Sequence, residues 1–329
     1  MKVILIGEPE SKRTIYFRKA ARAFDTDVHV MRHHEVEFEK LKGSFVKIDP
    51  PEYDSCYVDE IGSLIQPYKE LLQQMEELAD VTFLNHPKGI LQTLDKAACK
   101  KTLKEAQVPV TPVIAQGVTG YLTLKELLCA KKIYRVFIKP NEGSGACGVI
   151  AWCYHPGRGQ AVAYTGLDLV AGRLVNTKKL KRLTDEALIG ELCSRVMELG
   201  AIVEGWVPKA QYEGYGYDIR VVHQFGETTC YMPRLSRSPI TNLHLNNKAM
   251  PVDALNLSKE TLEEIDVLCK RAMRCYEGVL NYAGIDVLLE KNTLKPYIIE
   301  MNGQGDLLHQ DIYHENRIYG MQLLRGVGS

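Results

Sequence analysis

No hydrophobic run in this chain approaches the roughly 20 residues that a membrane-spanning helix needs, which excludes a helical span. Net charge is missing as well, because 41 Lys and Arg balance 41 Asp and Glu. That balance removes the electrostatic reason to expect nucleic acid or an anionic membrane as a partner. The nine cysteines are odd in number and never form a Cys-x-x-Cys pair. Their scatter argues against a disulfide framework and against zinc spacing, and for reduced thiols in the cytoplasm. The chain shows no internal repeat and no low-complexity tract, which argues against solenoids and disordered linkers. The first residues turn acidic at Glu8 and Glu10, too soon for a signal peptide, and residues 3–6 read instead as a buried strand.

What is present is an alternating α/β pattern with room for two or three domains in 329 residues. Residues 1–92 predict an open α/β sheet domain, with strands at 3–6, 45–48 and 81–84 and helices at 11–24 and 65–78. Residues 93–202 predict a second unit. It has a helix at 96–106, strands at 135–139 and 148–154 around a glycine-rich loop, and a helix from the Thr184-Asp185-Glu186 start to about 199. Residues 203–329 predict a strand-rich unit with one long helix at 259–279. The segment holding Lys178, Lys179, Lys181 and Arg182 reads as a solvated loop, and Tyr212, Tyr215 and Tyr217 as either an adaptable binding loop or an ordinary surface loop, leading into a strand at 217–225. His33, His34, His309 and His314 read as surface or capping groups.

The densest chemistry lies near the C-terminal end. Two β-branched runs, 284–290 and 297–302, flank a polar Lys-Asn-Thr-Leu-Lys-Pro turn, which predicts a β-hairpin. Centred on Thr293, the hairpin sets Asp286 opposite Glu300, with Asn302 on the same face as Glu300. Opposed carboxylates repel, so removal of one is expected to relieve strain in the sheet. A cation between them reverses the repulsion. Two carboxylates and an amide suit hard Mg²⁺, which completes its shell with waters and phosphates.

A second signal is Lys139-Pro140 followed by a loop containing Gly143, Ser144, Gly145 and Gly148. The Rossmann reading of these glycines needs a helix after them, but a strand-like Val149-Ile150-Ala151-Trp152 follows. A P-loop needs Gly-Lys-[Ser/Thr], and a protein kinase needs His-Arg-Asp and Asp-Phe-Gly, all of which are absent. There remains a lysine on a strand and a glycine hairpin whose backbone N–H groups can close over phosphate oxygens. Cys147 in that loop reads as a small residue suited to a tight turn. A third signal is Glu204 inside an apolar strand, which requires a partner. An adenine amino group, with the backbone at Trp206 and Val207 reading the ring edge, is one candidate, and a lysine ion pair is the other. Asp218 and Arg220 share one strand face, and the donor-rich loop 234–244 carries Arg234, Arg237, Asn242 and His244. Arginine forks there can hold a carboxylate against a phosphate.

Taken in order, Asp95-Lys96, Ile138-Lys139-Pro140 with its glycines, Glu204, Asp218-x-Arg220, and Asp286 with Glu300-x-Asn302 resemble the ATP-grasp superfamily of carboxylate ligases over residues 93–305. The stretches at 218–220 and 241–244 look closest to the amino-acid and peptide ligase branch, and to a bacterial subgroup tied to peptide-modifying gene sets. The resemblance implies ATP-dependent joining of an amino-acid or peptide carboxylate to an amine through an acyl phosphate, with ADP and phosphate released. It implies ATP contacts at Lys96, Lys139, the glycine loop, Glu204, Trp206, Val207 and Lys209. It also implies Mg²⁺ at Asp286, Glu300 and Asn302, as two ions with Mn²⁺ as a substitute, and catalytic work at Arg220. Arg234, Arg237, Asn242 and His244 are expected to hold the substrate carboxylate. A kinase-like phosphotransferase and a non-catalytic nucleotide-binding partner protein are the rival expectations. After Asn302 comes Gly303-Gln304-Gly305-Asp306, where many relatives carry small residues and proline, so the acceptor side is the least legible part.

Overall fold

The computed structural model describes residues 2–53, 55–143, 145–245, 247–305 and 317–327, without the side chains at 178, 244 and 327. Three sheets and eight described helices build the chain. The first sheet is parallel, in the order β2 (Val28–Met31), β1 (Lys2–Ile6), β3 (Ser44–Ile48), β4 (Thr82–Phe83). Strand β1 is buried on both faces from Val3 onward, as expected of a continuous apolar run inside a parallel sheet. Helix α1 (Lys12–Arg22) starts where the Ser11 hydroxyl accepts the Thr14 N–H at 3.1 Å. It shares one core with α8 (Arg317–Val327), while α2 (Ile61–Glu76) and α3 (Pro87–Leu94) cover the other face.

The second sheet runs β5 (Val113–Gln116), β10 (Ala201–Gly205), β6 (Arg135–Pro140), β7 (Ile150–His155), β8 (Gln160–Val170), β9 (Arg173–Leu183), with every pair antiparallel. Helices α5 (Tyr121–Ala130) and α6 (Glu186–Glu198) bury its outer face around Trp152. The third sheet is β14 (Lys248–Ala249), β13 (Glu227–Ser236), β12 (Tyr215–Gln224), β15 (Tyr282–Leu289), β16 (Pro296–Asn302), with β11 (Gln211–Tyr212) beside β12. Helices α4 (Lys96–Glu105) and α7 (Lys259–Arg274) back it.

Several expectations change here. Residues 160–183 form a long hairpin, so Lys179, Lys181 and Arg182 stand on the edge strand β9 and not on a loop. Tyr212 and Tyr215 lie on β11 and β12 and not on a loop, while Tyr217 falls inside β12, close to the expected strand at 217–225. Helix α2 starts at Ile61 and accommodates Pro67 in its interior. Strands β2 and β5 and helices α3 and α5 carried no recognised pattern. His33 is half-buried, with Nε2 2.9 Å from the Asp49 carbonyl. His309 and His314 lie outside the described residues.

Candidate functional site

The second and third sheets face one another across a solvent-open cleft. Lys139, Glu204, Gly205 and Val207 line it from the second sheet, and Asp218, Arg234, Asp286 and Glu300 from the third. Lys96, Gly143, Lys209 and Asn242 complete its ends.

The hairpin register is the expected one at the site, with Asp286 opposite Glu300 and Gly284 opposite Asn302. A bulge between Asp286 and Val287 then shifts the register by one residue. The bulge lets both Ile299 and Glu300 reach the cleft wall.

Asp286 does not lean on its carboxylate neighbour. The Arg220 Nε–H donates to its Oδ1 at 2.5 Å, and Arg234 Nη2 reaches Oδ2 at 2.8 Å. Arg234 also donates through Nε to Asp218 Oδ1 at 2.7 Å, its partner across the β12–β13 ladder. Thr241 Oγ1 donates to Asp218 Oδ2, and Lys209 Nζ donates to Thr241 Oγ1 at 2.5 Å. Burial pushes both aspartates up. The guanidiniums beside Asp286, and Arg234 with Lys209 beside Asp218, outweigh it and hold each carboxyl below its ordinary range. Two carboxylates against Arg220, Arg234 and Lys209 leave this cluster one positive charge in excess. Arg220 does not itself line the cleft. It passes over Gly284, where a Cβ would lie 2.8 Å from its Nη1 and 3.0 Å from the Gly305 Cα, so a side chain there would displace the guanidinium.

A second cluster of the same build lies at the other end. Lys100 donates to Thr111 Oγ1, which donates to Glu204 Oε2 at 2.8 Å. Lys100 and Lys139 also reach that oxygen, at 3.2 and 3.0 Å. Glu204 is 1% exposed, and its Oε1 has no partner among the described residues. Burial pushes the Glu204 carboxyl up, but the two ammoniums outweigh it and hold it down at about 2. The lysine ion pair, one of the two candidates for Glu204, is therefore present, and it leaves one carboxylate oxygen unused. This cluster too carries one excess positive charge.

Lys96 stands between the clusters, with Nζ 2.5 Å from the Gly143 carbonyl and 4.0 Å from Glu300 Oε1. The loop above it bends through positive φ at Gly143, Gly145, Ala146 and Gly148. A Cβ at Gly148 would meet Pro140 Cγ at 2.4 Å. Burial pushes the Cys147 thiol up to about 11, so it is not a thiolate.

Not every expected residue arrives. Arg237 lies over the Tyr215 ring at 4.9 Å, outside the cleft lining. Trp206 packs on Phe137 and gives its backbone N–H to the Arg135 carbonyl at 3.2 Å, so that N–H is not free for a ligand. Asn302 accepts the Gln304 N–H at 2.8 Å. Ser144 and the His244 side chain lie outside the described residues. Conversely, Lys100 and Thr111 were not expected at the site, Thr241 counted only as part of the 241–244 stretch, and Gln304 only as a departure after Asn302. Gln304 is 3% exposed, bonds Tyr68 and the Ile48 carbonyl, and ties the hairpin's end to the first sheet.

Asp286, Glu300 and Asn302 fit a hard cation by donor type. Asp286 accepts two bonds of the roughly four that a carboxylate can take, and the Glu300 side chain is 31% exposed. Among the described residues, no three His, Cys, Asp or Glu cluster as metal ligands. Water and phosphate must therefore supply the rest of the shell, as Mg²⁺ favours.

The Glu204 cluster carries a pH signature. Its folded value lies below the ordinary 4.5, so its stabilisation is complete above about pH 4.5 and drains as pH falls toward 2. Glu204 alone is expected to remove about 2 kcal/mol between pH 5 and pH 3. Urea unfolding across that range checks this, because Glu204→Gln must flatten the slope. An unchanged slope would show that the carboxylate is not held charged.

No protein-family model and no curated protein matches the sequence. Solved structures do match along the whole chain. The D-cycloserine synthetase DcsG superposes with a TM-score of 0.65 at 12% identity, covering 99% of each chain. The macrocyclase MdnC from Microcystis aeruginosa, seen with its precursor peptide MdnA, superposes at 0.64 and 12%, covering 100% of each. The D-alanine–D-alanine ligase of Bacillus anthracis, seen with ATP, gives 0.57 and 14%, covering 100% of this chain and 96% of the other. With three sheets in this order and a cleft roofed by a glycine loop, the chain has the ATP-grasp fold.

Proposed function

We propose that this protein is an ATP-dependent ligase that joins a carboxylate to an amine through an acyl phosphate and releases ADP and phosphate. The observation that carries the reading is charge. One cleft holds two buried clusters, each with one cation more than it has carboxylates, beside a hairpin of hard oxygen donors. A polyphosphate restores the balance, and phosphoryl transfer requires positioning and charge neutralisation more than covalent help from the protein. The fold neighbours, a synthetase, a macrocyclase and a ligase, are consistent with such chemistry.

In this reading the nucleobase lies by Glu204 and Val207, the phosphates run past Lys139 and Lys96 under the glycine loop, and Asp286 and Glu300 of the cleft wall would hold Mg²⁺ together with Asn302 further along the same hairpin. The metal supplies neutralisation of phosphate charge. A carboxylate oxygen of the substrate attacks the γ-phosphorus, and the bond to ADP breaks. The amine nitrogen then attacks the acyl carbon, phosphate leaves with the bonding pair, and the amine's proton passes to solvent. Arg234, with Arg220 behind Asp286, stabilises the charge that gathers on the transferring group. The carboxylate is that of an amino acid or a peptide. Among the described residues no helix is long and apolar enough to cross a membrane.

Phosphorus NMR of the protein with Mg-ATP, a panel of amino acids and short peptides, and an amine tests this. ADP and orthophosphate, formed only when both substrates are present, are expected. AMP with pyrophosphate would refute the acyl phosphate, and a stable phosphorylated acceptor would favour a kinase.

A further inference from the structure

We infer that Lys100 is a positioning residue for nucleobase selection, acting on the ligand only through Glu204. The inference rests on the nucleotide reading of the cleft and adds a part to it.

Glu204 carries two lysines on one oxygen, but the two are not equivalent. Lys139 lines the cleft, so it can turn toward an incoming phosphate. Lys100 is 4% exposed and lies behind Glu204, outside the cleft lining, bonded to the Thr111 hydroxyl and carbonyl. Burial lowers its pKa, and Glu204 opposes that fall. Two buried cations on one carboxylate are more than that carboxylate needs while the cleft is empty. Once Lys139 turns from Glu204 to pair with phosphate, Lys100 is the counter-ion that remains. Without it, ATP would strand a buried, uncompensated carboxylate, which is costly. Lys100 therefore allows Glu204 to stay ionised while Lys139 serves the ligand.

The same arrangement fixes direction. Lys100, Thr111 and Lys139 all occupy Oε2. The other oxygen, Oε1, is buried without a partner among the described residues, in a side chain that lines the cleft. A buried acceptor left unpaired is unfavourable until a donor arrives. An exocyclic amino group such as that of adenine supplies a donor. The guanine oxygen at the same ring position would face the carboxylate and be repelled. A Glu204 that rotated or took up a proton would lose this discrimination.

The test is binding of ATP and of GTP to the full-length chain with Mg²⁺. It compares wild type, Lys100→Met, Glu204→Gln and the double variant, each checked for folding by thermal melting. Wild type is expected to prefer ATP. Lys100→Met should lose ATP affinity by about tenfold or more, as for a hydrogen bond to a charged group, with GTP affinity much less affected. The double variant should bind ATP no worse than Glu204→Gln, because Lys100 has no task once the carboxylate is gone. Equal losses for ATP and GTP in Lys100→Met, or a further drop in the double variant, would overturn the inference while leaving the nucleotide reading intact. If Lys100→Met does not fold, the comparison of Glu204→Gln with the double variant decides alone. A wild-type protein that binds neither nucleotide would instead overturn the nucleotide reading, and Lys100's role with it.

Discussion

Asp286→Asn is expected to cost the folded protein about 3–5 kcal/mol as well as its turnover, because it removes one partner from a buried ion pair. The opposed carboxylates of the hairpin suggest the reverse, a gain from relieved repulsion. The structure changes the sign, since Asp286 lies between Arg220 at 2.5 Å and Arg234 at 2.8 Å. Its cluster already carries one positive charge too many, and the substitution leaves it with two. Glu300→Gln is the control. The Glu300 side chain is 31% exposed and its nearest cation, Lys96, is 4.0 Å away. Such a pair contributes about 0–1 kcal/mol, so stability should barely move. Both variants should lose turnover by roughly a hundred- to a thousandfold, the scale of removing one group that stabilises developing charge. Thermal melts and ADP release by both proteins check this. Equal melting temperatures for the two variants would show that Asp286 does not anchor the arginines.

These two residues also mark how far the sequence could be read. The hairpin was legible because β-branched runs flank a polar turn, and its register followed from the alternation of side chains. The bulge after Asp286 was not legible, since nothing local marks Ile299 as the extra residue. Charge partners were hidden for a different reason. Lys100 sits one helical turn after Lys96 in a helix with several lysines, and only Glu204, far along the chain, makes its burial tolerable. Arg234 was visible as a donor, but its two aspartates come from the next strand, β12, and the one beyond it, β15. The segment of Lys178, Lys179, Lys181 and Arg182 read as a loop because the polar residues of an edge strand mimic one. Gln304 looked like a departure in a glycine-rich turn. It is the residue that bonds the hairpin's end to Tyr68 and to the Ile48 carbonyl of the first sheet.

The three arginines of the acceptor side are expected to separate in the same way. Arg234→Met removes a guanidinium that is 4% exposed and bridges Asp218 to Asp286. Each aspartate keeps a cation, Lys209 for the first and Arg220 for the second, so the cluster becomes neutral rather than more unbalanced. Its stability loss should therefore be smaller than that of Asp286→Asn. Its kinetic loss should not be, because the surplus charge that meets the phosphoryl group is gone. A kcat reduced by roughly a hundred- to a thousandfold is the expected scale for one preorganised donor. Arg220→Met should resemble it, with a further effect on Asp286, whose Oδ1 it holds. Arg237→Met should change kcat and KM by less than about twofold, since a guanidinium stacked on an exposed-side tyrosine contributes about 0.5–1 kcal/mol to its own packing and Arg237 lies outside the cleft lining. Steady-state kinetics with whichever carboxylate and amine release ADP decide the matter. If Arg237→Met raised the carboxylate KM tenfold while Arg234→Met left kcat intact, the acceptor would lie against the Tyr215 side of the third sheet, and the Asp218–Arg234–Asp286 bridge would be a structural brace.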